Sequence, residues 1–466
     1  MTRCRLSVLL CAVLTAVLFT GCRIDMDVET LLRPPHPTGE QKKIQQALEK
    51  YINSEKKGKT PDVDFGYVLK YPKSGDYRSA FVLKDLDSDG VEEAIVFYGQ
   101  SGERSNVYLN LLKKTDEGWQ SIYDVEGVSP DIDRIQFGDM NADGISEIFT
   151  GWNIVNVKDK QLIIYSIRNN NINELYKELY SEFIVGKLTD SGRDNLLILH
   201  ANIAENITNA MLLGDDIDKV TGKPVLVELG STRLDGQIEQ FFTPQIAVVD
   251  NEISGVYVDG SRSGGMVTEL IYWDGTQLRA PFYNSVKDKT DITYRSVPLP
   301  SMNLDGDEYI EWPLVEPVKG FSNPASNKVW LTKWQYWDGN KQEVVDKFSS
   351  VINLTDRYHL ITEKSWNGLF TFLYEKNTHT LTLYSLKNGV PEKKILIIQS
   401  VYKSETAPST APLTEQLPDD NQDNQEKIFM RELKVLPDVK YMVWFSDEKP
   451  FNFNMDRIVH MFAVLQ

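Results

Sequence analysis

The chain has 466 residues, 41% of them hydrophobic and 11% aromatic, which is enough to build buried cores and excludes a disordered chain. Its formal net charge of −17 disfavours nucleic acid, anionic lipid faces and polyanionic glycans as partners and favours cations, while also serving plain solubility. The 3 cysteines, Cys4, Cys11 and Cys22, stand at the N-terminal edge, so beyond Cys22 no disulfide, thiol nucleophile or zinc-thiolate site can form.

Arg3 and Arg5 precede the apolar run Leu6–Phe19, which ends in Thr20-Gly21-Cys22. A charged start, a hydrophobic stretch short for a membrane span and small residues before a cysteine are the parts of a secretory leader. The end of this stretch resembles a bacterial lipobox, although Phe19 stands where that pattern usually has Leu. The resemblance implies that residues 1–21 are a lipoprotein signal peptide and that Cys22 is lipidated. The membrane is then a partner through the lipid anchor, with the protein on the extracytoplasmic face of the cell membrane. An ordinary signal or anchor helix is the alternative. Residues 22–38, with Pro34, Pro35 and Pro37, read as an extended tether. Over residues 39–58, Ile44, Leu48 and Tyr51 recur at helical spacing among polar residues, predicting a helix with one narrow packing face that caps the first repeat unit.

From residue 59 to 353 the chain turns to short β-prone segments punctuated by Gly, Asn and Asp, at a period typical of propellers and arrays. The sharpest feature is Phe81–Phe97, FVLKDLDSDGVEEAIVF. Asp85, Asp87 and Asp89 alternate, Gly90 permits a tight turn, and Glu93 follows. With the Val91 carbonyl these offer oxygen ligands at alternate positions, a donor set that suits Ca²⁺. Four carboxylates this close repel one another without a cation. The arrangement recurs in Gln136–Phe149, QFGDMNADGISEIF, as Asp139, Asn141, Asp143, the Ile145 carbonyl and Glu147. An EF-hand begins the same way but needs a bidentate Glu at position 12, where this chain has Val96 and Thr150, and the flanks here are strand-like.

Such loops set between two strands resemble those of the FG-GAP or VCBS repeats, the integrin-like β-propeller family. The likeness covers about residues 62–353. It implies a mainly β fold of propeller-like antiparallel blades closed into one structure, with calcium as the cofactor at the two loops. A third unit, Phe183–Leu199, keeps the frame but has Lys187, Thr189, Ser191 and Asn195 at the ligand positions. It is expected to have lost its metal, with the Lys187 ammonium as a substitute cation. Ser301-Met302-Asn303-Leu304-Asp305-Gly306 reads as a fading loop, with Ser301 first and Tyr309 ninth, so Asn303 and Asp305 form a poor third calcium site. Tyr272-Trp273-Asp274-Gly275 recurs as Tyr336-Trp337-Asp338-Gly339, each ending a strand in a hairpin turn. Residues 354–466 read as a small C-terminal α+β domain or, alternatively, as further degenerate blades. Residues 407–426, rich in Pro, Thr, Asn, Gln and Asp, read as a loop without order.

Other chemistry is sparse. The 5 histidines are scattered without HExxH or His-carboxylate spacing, so zinc hydrolysis has no support and each reads as a surface or packing residue. Asp259-Gly260-Ser261-Arg262-Ser263 matches the start of an adhesion-type magnesium motif, but its neighbours read as a hairpin rather than as the helix that motif needs. The leading expectation is a lipid-anchored, calcium-binding interaction module for a cell-surface protein or glycan, without nucleic acid and without catalytic residues. A propeller-fold carbohydrate-active enzyme, hydrolase or lyase, is the first alternative, and an envelope sensor or assembly subunit the second.

Overall fold

The computed structural model describes residues 39–55, 66–100, 106–154, 159–168, 171–217, 224–250, 253–321, 323–403 and 430–465. The leader, the tether with Cys22 and the insertion at 407–426 lie outside the described residues, as does the end of the expected N-terminal helix.

Helix α1 (Glu40–Glu55) is followed by antiparallel sheets that come almost in chain order. The first holds β1 (Tyr67–Leu69), β2 (Phe81–Lys84), β3 (Glu93–Gln100), β4 (Tyr108–Thr115) and β5 (Gly118–Glu126). The second is the meander β6 (Ile132–Gly138), β7 (Glu147–Asn153), β8 (Lys160–Arg168) and β9 (Asn171–Tyr180). The third repeats it with β10 (Glu182–Gly186), β11 (Asn195–Asn202), β12 (Ile207–Ile217) and β13 (Pro224–Leu234). The fourth contains β14 (Gln240–Phe241), β15 (Gln245–Val248), β16 (Ser254–Arg262), β17 (Gly265–Trp273) and β18 (Leu278–Arg279). The fifth begins with β19 (Trp312–Val315), β20 (Val329–Asp338), β21 (Glu343–Asn353) and β22 (Tyr358–Thr362). The sixth is β23 (Phe370–Glu375), β24 (Thr380–Lys387), β25 (Val390–Tyr402), β26 (Arg431–Val435) and β27 (Val439–Phe445). Helix α2 (Met455–Met461) then delivers β28 (Phe462–Val464) back to the fifth sheet, where it pairs with β22.

Successive sheets stack face to face, and side-chain alternation explains why their inner strands look uniformly apolar. In β3, Ile95 and Phe97 meet Ile135, Ile148 and Trp152 of the second sheet, while Ala94, Val96 and Tyr98 point the other way onto Ile44, Leu48 and Ile52 of α1. Both faces are buried, so the segment reads as one hydrophobic run. The same contact recurs between second and third sheets (Phe149, Ile164 with Phe183, Ile198), third and fourth (Leu197, Leu212 with Val256, Val267), and fourth and fifth (Tyr257, Leu270 with Trp312, Trp337). Fifth and sixth share the largest cluster, around Tyr358, Leu360, Phe372, Leu383 and Tyr441, closed by Ile458 and Met461 of α2. Each fully buried Leu or Phe contributes roughly 1.5–3 kcal/mol.

The fold is mainly β, as expected, and two organisational points differ from the sequence reading. The boundary placed after Asn353 falls inside one sheet, because β21 pairs directly with β22. The free face of the first sheet is covered by α1, and among the described residues no buried apolar cluster joins the first sheet to the sixth. Among the described residues the sheets follow one another in succession with α1 against the first, and repeat spacing by itself specifies only the contact between neighbours.

Candidate functional site

The acidic loops connect the first two long strands of their sheets and share one backbone design. In the first, Asp85 Oδ1 accepts from Asp89 N at 3.2 Å and Oδ2 from Gly90 N at 3.0 Å; in the second, Asp139 accepts from Asp143 N at 3.2 Å and from Gly144 N at 2.9 Å. Ser88 and Ala142 both adopt φ near +56°, and Gly90 and Gly144 both have φ +85°, the left-handed region that favours glycine. The ninth residue reaches back to the second: Glu93 accepts from Leu86 N at 3.0 Å and Glu147 from Met140 N at 3.0 Å. Neighbouring loops also touch, through Ser146 N to Leu86 O at 2.7 Å and Asp194 N to Asp139 O at 3.2 Å. The loops therefore occupy equivalent places side by side.

The same reach-back bond identifies the remaining loops. Asn195 accepts from Leu188 N at 3.3 Å, and Glu311 accepts from Leu304 N at 2.9 Å. The latter corrects the register read from sequence. Asn303, not Ser301, takes the first position, so the fourth loop presents Asn303, Asp305, Asp307 and Glu311. Gly306, with φ +80°, fills the place of Ser88 rather than that of Gly90, and this misled the alignment. The third loop is closed by neutral groups, with Thr189 Oγ1 2.9 Å from Ser191 Oγ and 3.0 Å from Asn195 Oδ1.

One carboxylate oxygen from each of Asp85, Asp87 and Asp89 lies within 4.8 Å of the others, and the same holds for Asp305, Asp307 and Glu311. In the first cluster Lys113 Nζ sits 2.6 Å from Asp87, 3.3 Å from Asp89 and 3.4 Å from Glu93. Lys347 Nζ is 2.9 Å from Asp305 and 2.6 Å from both Asp307 and Glu311. Hydrogen bonds to Asp87 hold the Lys113 ammonium above its ordinary range, while burial pushes the Glu93 carboxyl up. Sequence reasoning anticipated an ammonium from Lys187 in the third loop; the lysines found in acidic loops are Lys113 and Lys347, brought by other strands. The second loop carries hydrogen bonds of its own within the loop. There Asn141 Nδ2 donates to Glu147 at 2.6 Å, and Asp143 Oδ1 accepts from Ile145 N at 2.9 Å.

The magnesium-like motif is a hairpin, as expected. Asp259 lies in β16 and is consumed by Thr268 Oγ1 at 2.6 Å, Arg295 Nη2 at 2.7 Å and Ser301 N at 2.7 Å. Sequence reasoning missed a lateral groove of about 860 Å³ lined by Asp159, Glu178, His200 and Glu205, which continues past His200 and Asn209 into a hollow of about 750 Å³ with Glu228, Arg233 and Tyr283. Burial pushes the His200 imidazole down, against the opposing pull of Glu178 and Asp159. His379 likewise meets a distant carboxylate, with Nδ1 2.6 Å from the buried Asp356.

No family model and no curated protein sequence matches the chain. Among solved structures it is similar to the Bacillus licheniformis rhamnogalacturonan lyase PL11, at 11% identity over 70% of this chain and 76% of that one, with a TM-score of 0.29. The exotype rhamnogalacturonan lyase YesX overlaps at 12% identity over 66% and 60%, with a TM-score of 0.27. Saccharomyces cerevisiae Sqt1 overlaps at 9% identity over 81% and 97%, with a TM-score of 0.28. These likenesses are too slight to carry an argument about activity.

Proposed function

We propose that this protein is a lipid-anchored extracytoplasmic binding module, similar to FG-GAP or VCBS β-propellers, in which calcium fixes a loop of a stacked-sheet scaffold. The observation that supports it is the common loop geometry, in which the second loop carries Asp139, Asn141, Asp143, Glu147 and the Ile145 carbonyl at the same offsets, and with the same backbone bonds, as the first. Such an oxygen-only set suits Ca²⁺. At the first loop, Glu93 Oε1 and Asp87 Oδ1 are buried without hydrogen-bond partners, so that donor set also fits a cation, but an ion there would have to displace Lys113. When bound, calcium supplies charge compensation; the side chains order the loop and leave little room for a substrate on the ion.

An ion that binds only the folded loop adds RT ln(1 + [Ca²⁺]/Kd), about 2.7 kcal/mol at a hundredfold excess over Kd. Extracellular calcium modules commonly bind at about 10⁻⁴–10⁻³ M. Millimolar calcium should raise the melting temperature, a chelator should lower it, and Asp143→Ala should remove most of the shift. An unchanged shift in that variant would sink the second-loop assignment. The anchored topology rests on Cys22, and fatty-acid labelling should disappear in Cys22→Ala.

The acidic groove around His200 is the face we assign to a neutral glycan or a basic protein surface, because Asp159, Glu178, Glu205 and Glu228 repel polyanions. The same groove favours the enzyme reading as the alternative, since it places a histidine among carboxylates in a cleft. Polysaccharide turnover that is lost in Glu178→Gln would replace binding by catalysis.

A further inference from the structure

We propose that Lys113 and Lys347 are the resident cations of the first and fourth loops, where a side-chain ammonium holds the place that the loop design otherwise gives to a metal ion. Both ammonium groups contact the third, fifth and ninth positions of their loops: Asp87, Asp89 and Glu93 in one, Asp305, Asp307 and Glu311 in the other. The two lysines reach that place from different strands. Lys113 lies on β4, next to β3, whereas Lys347 lies on β21, separated from β19 by β20. Lys347 is moreover the extra residue of a β-bulge, because Trp334 pairs with Phe348 and Gln335 with Asp346. A bulge re-aims a side chain out of the regular alternation. Two unrelated routes to one position indicate that the position itself demands positive charge.

Burial supplies the reason. Glu93 is 3% exposed and Glu311 is fully buried, and an uncompensated carboxylate in such a place is strongly unfavourable. Glu93 Oε1 has no hydrogen-bond partner, so Lys113 at 3.4 Å is the charge that compensates it. Calcium needs its oxygens at about 2.3–2.6 Å on several sides, and it cannot share that volume with an ammonium. The first and fourth loops are therefore ordered without metal and insensitive to chelators.

This inference rests on the calcium reading only where calcium is used for rescue, and the test separates the two. The full chain is prepared in an Asp143→Ala background, which silences the second loop. Lys113→Met should then lower the melting temperature by several degrees in chelator. Adding Asp87→Asn should recover much of that loss without any metal, because removing a carboxylate charge substitutes for the missing cation. Millimolar calcium should also restore Lys113→Met, with calorimetry finding one ion more than in its parent. Lys347→Met with Asp305→Asn repeats the comparison at the fourth loop. The assignment is overturned if the parent takes up calcium at the first loop, shown by uptake lost in Asp87→Ala. It is equally overturned if Lys113→Met melts like its parent in chelator, or if Asp87→Asn deepens the loss. Should Lys113→Met not fold, the double variant decides, and failure to recover folding counts against the proposal. Charge-deletion rescue without calcium uptake by any variant would remove the calcium reading and leave the lysine assignment standing.

Discussion

His359 in β22 is buried between the strands that carry Ile352 and Ala463, and both of its ring nitrogens lack hydrogen-bond partners among the described residues. Burial pushes its pKa down from 6.5 to about 4, with Asp305 opposing. Between those values the unfolded chain binds a proton that the folded chain refuses. Stability from this group is thus complete above pH 6.5 and is lost as pH falls toward 4, by on the order of 3 kcal/mol. Glu182 and Glu269 work against this slope: burial pushes both carboxyls up to about 7, so folded protein keeps their protons where unfolded protein has lost them, and stability from them falls as pH rises from 4.5 to 7. The difference between wild type and His359→Phe isolates the histidine. Urea unfolding at pH 7 and pH 4.5 should show the variant gaining on wild type as pH falls; parallel curves would show that His359 takes up its proton equally in the folded and unfolded states.

At the scale of elements, the sequence exposed what is periodic and local, and hid what depends on pairing between distant strands. The apolar run of β3 and the helical spacing of Ile44 and Leu48 were legible because burial repeats with the geometry of each element. The first two loops were legible because their acidic residues are contiguous. Lys113 and Lys347 were not, since one comes from a neighbouring strand and the other from a bulge, and sheet register is not written in composition. The groove was hidden for the same reason: Glu178 and His200 belong to different sheets. Even identical letters diverge. Gly275 of the first Tyr-Trp-Asp-Gly motif has φ +93° beside Asp274, whose Oδ1 accepts from Thr276 N and Gln277 N, both at 2.9 Å. Gly339 of the second donates to Val249 O at 3.0 Å, and a Cβ there would stand 2.4 Å from that oxygen. One glycine serves a turn and the other a close approach.

Across the whole molecule, each sheet gains its core from its neighbours, so stability should be distributed as in repeat proteins, by local interfaces rather than by one shared centre. The fifth sheet is finished only when the far end of the chain returns. Phe462 pairs with Leu360, Ala463 with His359 and Val464 with Tyr358, while Ile458 and Met461 seal the apolar cluster between the last two sheets. Deleting residues 455–466 removes both the closing strand and that seal. Hydrogen exchange of the truncated protein should show β20–β25 opening far more readily than in the full chain, with β3–β12 keeping their protection. The rise in melting temperature proposed for calcium at the second loop should be the same in the truncated protein, because that loop contacts the first and third sheets, which the deletion does not touch. Uniform loss of protection from β3 to β27 would instead mean that the sheets unfold as one cooperative body. In that case α1 would not be an independent cap, and the nearest-neighbour account of the fold would have to be abandoned.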